Sequence, residues 1–139
     1  MISSDNKKAI KKIWYSREGD LSNSISNDDD IANFIKTFGE IPDDYVWFLK
    51  TCGGGVVGSE WIDSISELHS SHEKFIEECK FSNGYTIGES FIIGWDGGGN
   101  PIAIQSDGKV ITQWHDSGKI DVLAESFEKW LLIGLGVEF

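Results

Sequence analysis

Apolar positions along this chain change their prevailing period after Asn83-Gly84, apart from one short strand before that point and a closing helix at the end. Up to about Lys80 they recur at helical spacing, and beyond Asn83-Gly84 they fall into short β-type runs. Ile10, Ile13 and Trp14 share one side of a helix predicted over Asn6 to Trp14, with four lysines around the rest. A second helix begins near Asp28 to Asp30, carries Ile31, Phe34, Ile35 and Phe38 as its stripe, and stops at Gly39. The third is the most completely specified. Pro42 fits a first-turn position, where its missing N–H costs nothing, and Asp43 and Asp44 complement the positive end of the helix dipole. Tyr45, Phe48, Leu49 and Cys52 form its apolar stripe, and Gly53 to Gly55 end it.

Glu60-Trp61-Ile62 reads as a short strand. Ser64 with Glu67 makes a capping box, opening a helix whose stripe of Ile65, Leu68, His72, Phe75, Ile76 and Cys79 runs to about Lys80. Four β-type runs follow: Phe91 to Trp95, Ile102 to Gln105, Val110 to Trp114 and Lys119 to Leu123. Asp96 to Pro101, Asp107-Gly108 and Asp116 to Gly118 supply turn chemistry between them. Such close spacing implies an antiparallel meander, because parallel neighbours need long crossovers. Ser126 caps a last helix with Phe127, Trp130 and Leu131 as its buried face. The fold class is therefore α+β, a single antiparallel sheet flanked by N-terminal helices and a closing C-terminal helix. Residues 1–27 read as a helix and a polar linker, and residues 28–139 as the main part of one globular domain.

Charge narrows the function classes. The chain of 139 residues carries a net charge of −11, and it is unevenly placed. Residues 1–17 hold a net of +4, and the remainder a net of −15. Such a body repels nucleic acid and anionic lipid and attracts basic partners, so neither nucleic acid nor membrane is expected as a partner. No apolar run approaches the ~20 residues of a membrane span, and the N-terminal residues lack the apolar segment of a secretory signal. A cytoplasmic location is the expectation. Cys52 and Cys79 both fall on helical stripes, which favours buried, reduced thiols.

The order of these pieces resembles the SUKH superfamily, whose Smi/Knr-type branch is the best known. The likeness rests first on Phe34-x-x-x-Phe38-Gly39-x-Ile41-Pro42-x-x-Tyr45-x-x-Phe48-Leu49 and on the helix stop at Cys52-Gly53-Gly54. It continues through Gly94-Trp95-Asp96 with Asn100-Pro101-Ile102-Ala103-Ile104, then Val110-x-x-x-Trp114-His115-x-x-x-Gly118 and Ser126-Phe127-x-x-Trp130-Leu131. It covers about Asp28 to Leu132. Lys36 stands where the family often has an acidic residue, and Gly53 where it usually has asparagine. The resemblance implies a non-enzymatic binding domain. Bacterial members are commonly immunity proteins that neutralise a toxin encoded beside them, often a nuclease, and eukaryotic members serve as interaction hubs. A cognate, basic toxin encoded by the adjacent gene is the implied partner, with a constitutive scaffold or regulator as the alternative and a small enzyme or metal protein as the third class.

Candidate chemistry is sparse. His69 and His72 lie i, i+3 near Glu73 and Cys79, but His72 sits on the apolar stripe, so a packed, hydrogen-bonded histidine is expected and no metal. Gly53 to Gly55 and Gly97 to Gly99 lack the strand-to-helix context of a phosphate cradle, and loop flexibility accounts for them better; no cofactor is expected. His115-Asp116 is the only pair that suggests nucleophilic catalysis, and neighbours on a strand point to opposite faces. No catalytic residue is assigned. Partner binding has more candidates. Trp47 points away from its helix's apolar stripe, and is either covered by another element or available to a partner. Trp95 beside Asp96, Trp114 beside His115 and Trp61 beside Glu60 read first as core residues and second as contact residues. Asp28, Asp29 and Asp30 form a helix start that also suits a basic partner. The partner-binding candidates are thus Trp47, Asp28, Asp29, Asp30, Glu60, Trp61, Asp96, Trp114 and His115.

Overall fold

A computed structural model describes residues 1–17, 24–80 and 85–137. Most of the expected linker, the Asn83-Gly84 break and the last two residues lie outside the described residues. The elements in chain order are α1 (Ser4–Ser16), α2 (Asp28–Phe38), α3 (Asp43–Thr51), β1 (Gly55–Val57), β2 (Glu60–Ile62), α4 (Ile65–Cys79), β3 (Phe91–Trp95), β4 (Pro101–Ile104), β5 (Val110–Gln113), β6 (Ile120–Ala124) and α5 (Phe127–Leu135). The strands form one six-stranded sheet in sequence order, every pair antiparallel. Strands β3 to β6 are the meander that the turn spacing predicts, and β1 and β2 extend it from the far side of α4 in sequence.

The pairing of β1 is what the glycines make possible. Gly53, Gly54 and Gly55 all have positive φ, at 90°, 150° and 147°. A Cβ on Gly54 would come within 2.8 Å of the Ser64 Cα. The run is therefore a close backbone crossing that brings β1 beside β2, and flexibility is not its purpose. That corrects the reading of these glycines as a flexible loop.

Alternation sorts the sheet's side chains into two cores. The larger gathers Ile93, Ile102, Ile104 and Val110 with Tyr45, Phe48 and Leu49 of α3, Ile10 and Trp14 of α1, and Phe127 and Leu131 of α5. Trp14 meets Phe48 edge-on at 5.3 Å between ring centres, so α1 is part of this core. The smaller, on the opposite side chains, is Phe75, Ile87, Ile92, Ala103 and Ile111. Helix α4 serves both cores, Leu68 the larger and Phe75 the smaller, and Ser64 with Glu67 closes its capping box. Its His72 lies between Phe34, Phe38 and Phe91 and donates from Nε2 to the Ile92 carbonyl at 2.9 Å. The apolar C-terminal segment docks on its own domain: Leu131 and Leu132 are buried, with Leu135 and Val137 packed alongside. Cys52 is buried, its thiol pushed up to about 12 by burial, while Cys79 is only half-buried.

Candidate protein-binding surface

The candidates disperse over three regions, and only one is organised. At the start of α2, Asn27 caps the helix through Asp30 N–H at 2.8 Å, leaving the three aspartates exposed. Asp28 is bound to Lys50 of α3 at 2.7 Å, so it helps to join two helices. Asp30 lines an open groove between α2 and α4 with Phe34, Ile65 and His69, enclosing about 430 Å³. Trp47 is half-buried against the larger core, and α1 reaches it through Lys7, whose Nζ stands 5.7 Å from the ring centre. Trp61 on β2 is half-buried and donates from Nε1 to both oxygens of Glu67, at 3.1 and 3.0 Å; Glu60 beside it pairs with Val57 across β1 and β2.

The third region lies where the β3–β4 and β5–β6 turns meet. Asp96 closes its own turn: one carboxylate oxygen accepts from the Gly98 and Asn100 N–H groups at 2.9 and 2.8 Å, the other from the Asn100 amide at 3.1 Å. Asn100, 2% exposed, passes the network on. Its Oδ1 accepts from the His115 N–H at 2.9 Å and from His115 Nδ1 at 2.7 Å, which fixes the proton on Nδ1. Residues 114–119 are outside regular strand, with His115 and Asp116 in the turn itself. The expectation that these two stand on a strand is corrected here, because Asp116-Ser117-Gly118 bends the chain before the pairing resumes. His115 is committed to Asn100.

Trp114 is the residue this network presents. It leaves β5 just past Gln113 and is 42% exposed, where core packing was the first expectation. The strand ends one residue too early to carry it into the sheet's interior. Its Nε1 donates to Asp121 of β6 at 2.7 Å, and its backbone N–H donates to Lys119 O at 2.8 Å. That indole bond, with Lys119 as a second favourable neighbour, holds the Asp121 carboxyl below its ordinary range. Trp95 differs: it is half-buried, with Lys74 Nζ 4.1 Å from its ring centre and Tyr85 edge-on.

The region therefore joins three of the candidates, Asp96, Trp114 and His115, on a rigid pair of turns. A model of the SMI1/KNR4 family (SUKH-1) matches residues 26–133. The chain belongs to the SMI1/KNR4 family. No curated protein matches the chain. The family match runs from α2 into α5 and leaves α1 outside, although α1 packs on the same core as α3 and α5. Among the described residues, no helix is long and apolar enough to cross a membrane.

Sequence reasoning missed Asn100, Asp121 and the aliphatic side chains of β6. Asn100 stands out in the sequence as turn chemistry and as part of the family likeness, and neither reveals its burial, which depends on two turns meeting. For Asp121 a signal existed: it alternates with Ile120 and Val122 in the last run of a meander, and the last strand of a meander is an edge.

Proposed function

We propose that this SMI1/KNR4-family chain is an immunity protein that neutralises a cognate toxin by binding it and covering its active or substrate surface. Family membership over residues 26–133 is the observation that carries this reading. The arrangement of polar groups agrees with it. His72 is held by the Ile92 carbonyl, His115 by Asn100 and Asp96 by its own turn, so each serves structure. Trp114, exposed yet hydrogen-bonded in place, is the kind of pre-positioned aromatic that anchors protein interfaces. The net charge of −11 suits steering toward a basic toxin, a nuclease foremost, in the cytoplasm.

The test is co-expression with the product of the adjacent gene. Cells carrying both survive, and the two chains co-purify. Death of the cells together with no complex would refute the reading. A complex with a housekeeping protein in place of a toxin would make the chain a scaffold or regulator.

A further inference from the structure

The two edges of the sheet are treated differently. At β1 the Arg17 guanidinium donates to the Val56 carbonyl, and the Gly58 N–H just past the strand donates to Gly134 O at 3.0 Å. Along the outer edge of β6, no strand among the described residues pairs. Such an edge presents N–H and C=O groups that an added strand satisfies.

The side chains of β6 say what kind of strand fits. Register lines up Ile92, Ala103, Ile111 and Val122 across β3, β4, β5 and β6. The first three are buried in the smaller core, whereas Val122 is 56% exposed. The apolar row therefore runs to the margin of the sheet and stops without a cover. Ile120, paired with the buried Gln113, is exposed on the same side. The other side of the strand has the opposite character: Asp121 bonded to Trp114 and ion-paired with Lys119 at 3.5 Å, with the exposed Asp116 in the adjoining turn. Residues 96–125 carry five carboxylates against two lysines. A bulge between the Val110 and Ile111 pairings leaves Leu123 without a partner and ends the regular part of the edge.

Resting on the protein-binding reading above, we infer that Lys119 to Val122 receives a short strand of the partner in which apolar side chains alternate with Lys or Arg. The period of two delivers one set to each side of the sheet. Apolar side chains extend the Ile92–Ala103–Ile111–Val122 row. Cationic ones meet Asp121 and Asp116 and lie against the Trp114 ring, where a cation is attracted by the indole face. The bulge at Leu123 limits the added pairing to about four residues. A second copy of this chain is the poorer occupant, since it would bring a net charge of −11 against −11.

The experiment titrates the full chain with a short peptide of alternating valine and lysine, with serine–lysine and valine–glutamate peptides as controls. Binding is followed by calorimetry and by amide hydrogen exchange. The valine–lysine peptide slows exchange at 120–122, and each control binds about tenfold more weakly. Val122→Ser and Asp116→Lys, both at exposed positions, each weaken binding about fivefold or more while the melting temperature is kept. Equal binding of the serine–lysine peptide, protection confined to another part of the chain, or unchanged affinity in both variants would overturn the inference. Co-expression separates the two claims. A wild-type chain that fails to protect removes the immunity reading and leaves the peptide result to judge the edge. A toxin complex indifferent to both variants removes the edge as its seat and leaves the immunity reading standing.

Discussion

Asp63 is the polar side chain that the interior makes most consequential. It follows β2, is buried, donates its N–H to Ile93 O at 2.8 Å and receives the Tyr45 hydroxyl on its carbonyl at 2.6 Å. Its carboxyl receives the Ser71 hydroxyl. Burial, aided by Glu67 and opposed by the Ser71 bond, pushes this carboxyl from 3.8 up to about 7. The folded chain therefore holds the proton more tightly than the unfolded chain does. That contribution is complete below the unfolded value of 3.8 and is lost as pH rises to about 7. Three pKa units correspond to about 4 kcal/mol at most. His72 has the opposite sign: burial lowers its pKa, so stability from the neutral ring is lost as pH falls through that lowered value. Asp63→Asn keeps the shape and an acceptor for Ser71, so thermal melts at about pH 8 should show the variant more stable than the native chain, with the difference shrinking toward pH 4. Identical pH profiles would contradict the role given to Asp63. At the surface, Trp114→Ala should change folding stability by less than about 1 kcal/mol and weaken partner binding by about 2 kcal/mol or more, measured by melting and by calorimetry. Equal losses would make Trp114 a structural residue.

Among the elements, the join between α3 and β1 is the most demanding. Gly54 combines a φ of 150° with backbone contact against Ser64, and neither permits a side chain. Gly54→Ala should lower stability by about 3 kcal/mol, seen as an earlier denaturant midpoint with an unchanged slope. A neutral outcome would show that β1 can pair without that crossing. This join also marks where sequence reading stops. Helices with a one-sided stripe and a cap, such as α2, α3 and α4, were legible because periodicity and end signals agree. The strands β3 to β6 were legible because turn residues separate short β-type runs. Strand β1 was hidden: Gly53 to Gly55 end a helix and open a strand, and only the contact with Ser64 reveals the second role. The surface at the turns was half legible. Asp96, Trp114 and His115 stood out by type, but Asn100 joins them through space, and no period in the chain encodes that meeting.

For the whole molecule, the arrangement is a sheet supported by two apolar cores, with an aromatic and acidic corner at the β5–β6 end and an edge at β6 that no strand among the described residues pairs. The uneven charge adds direction. The net of −15 beyond residue 17 belongs to the part of the chain that carries this corner. On the proposed immunity function, recognition is by occupancy, with no reaction performed by this chain. The decisive measurement is the activity of the proposed adjacent-gene toxin against increasing molar ratios of this protein, at concentrations far above the dissociation constant. A straight decline that reaches zero at the equivalence point is expected, since each bound molecule silences one toxin. Complete inactivation by a small fraction of an equivalent, or undiminished activity at a large excess, would contradict it.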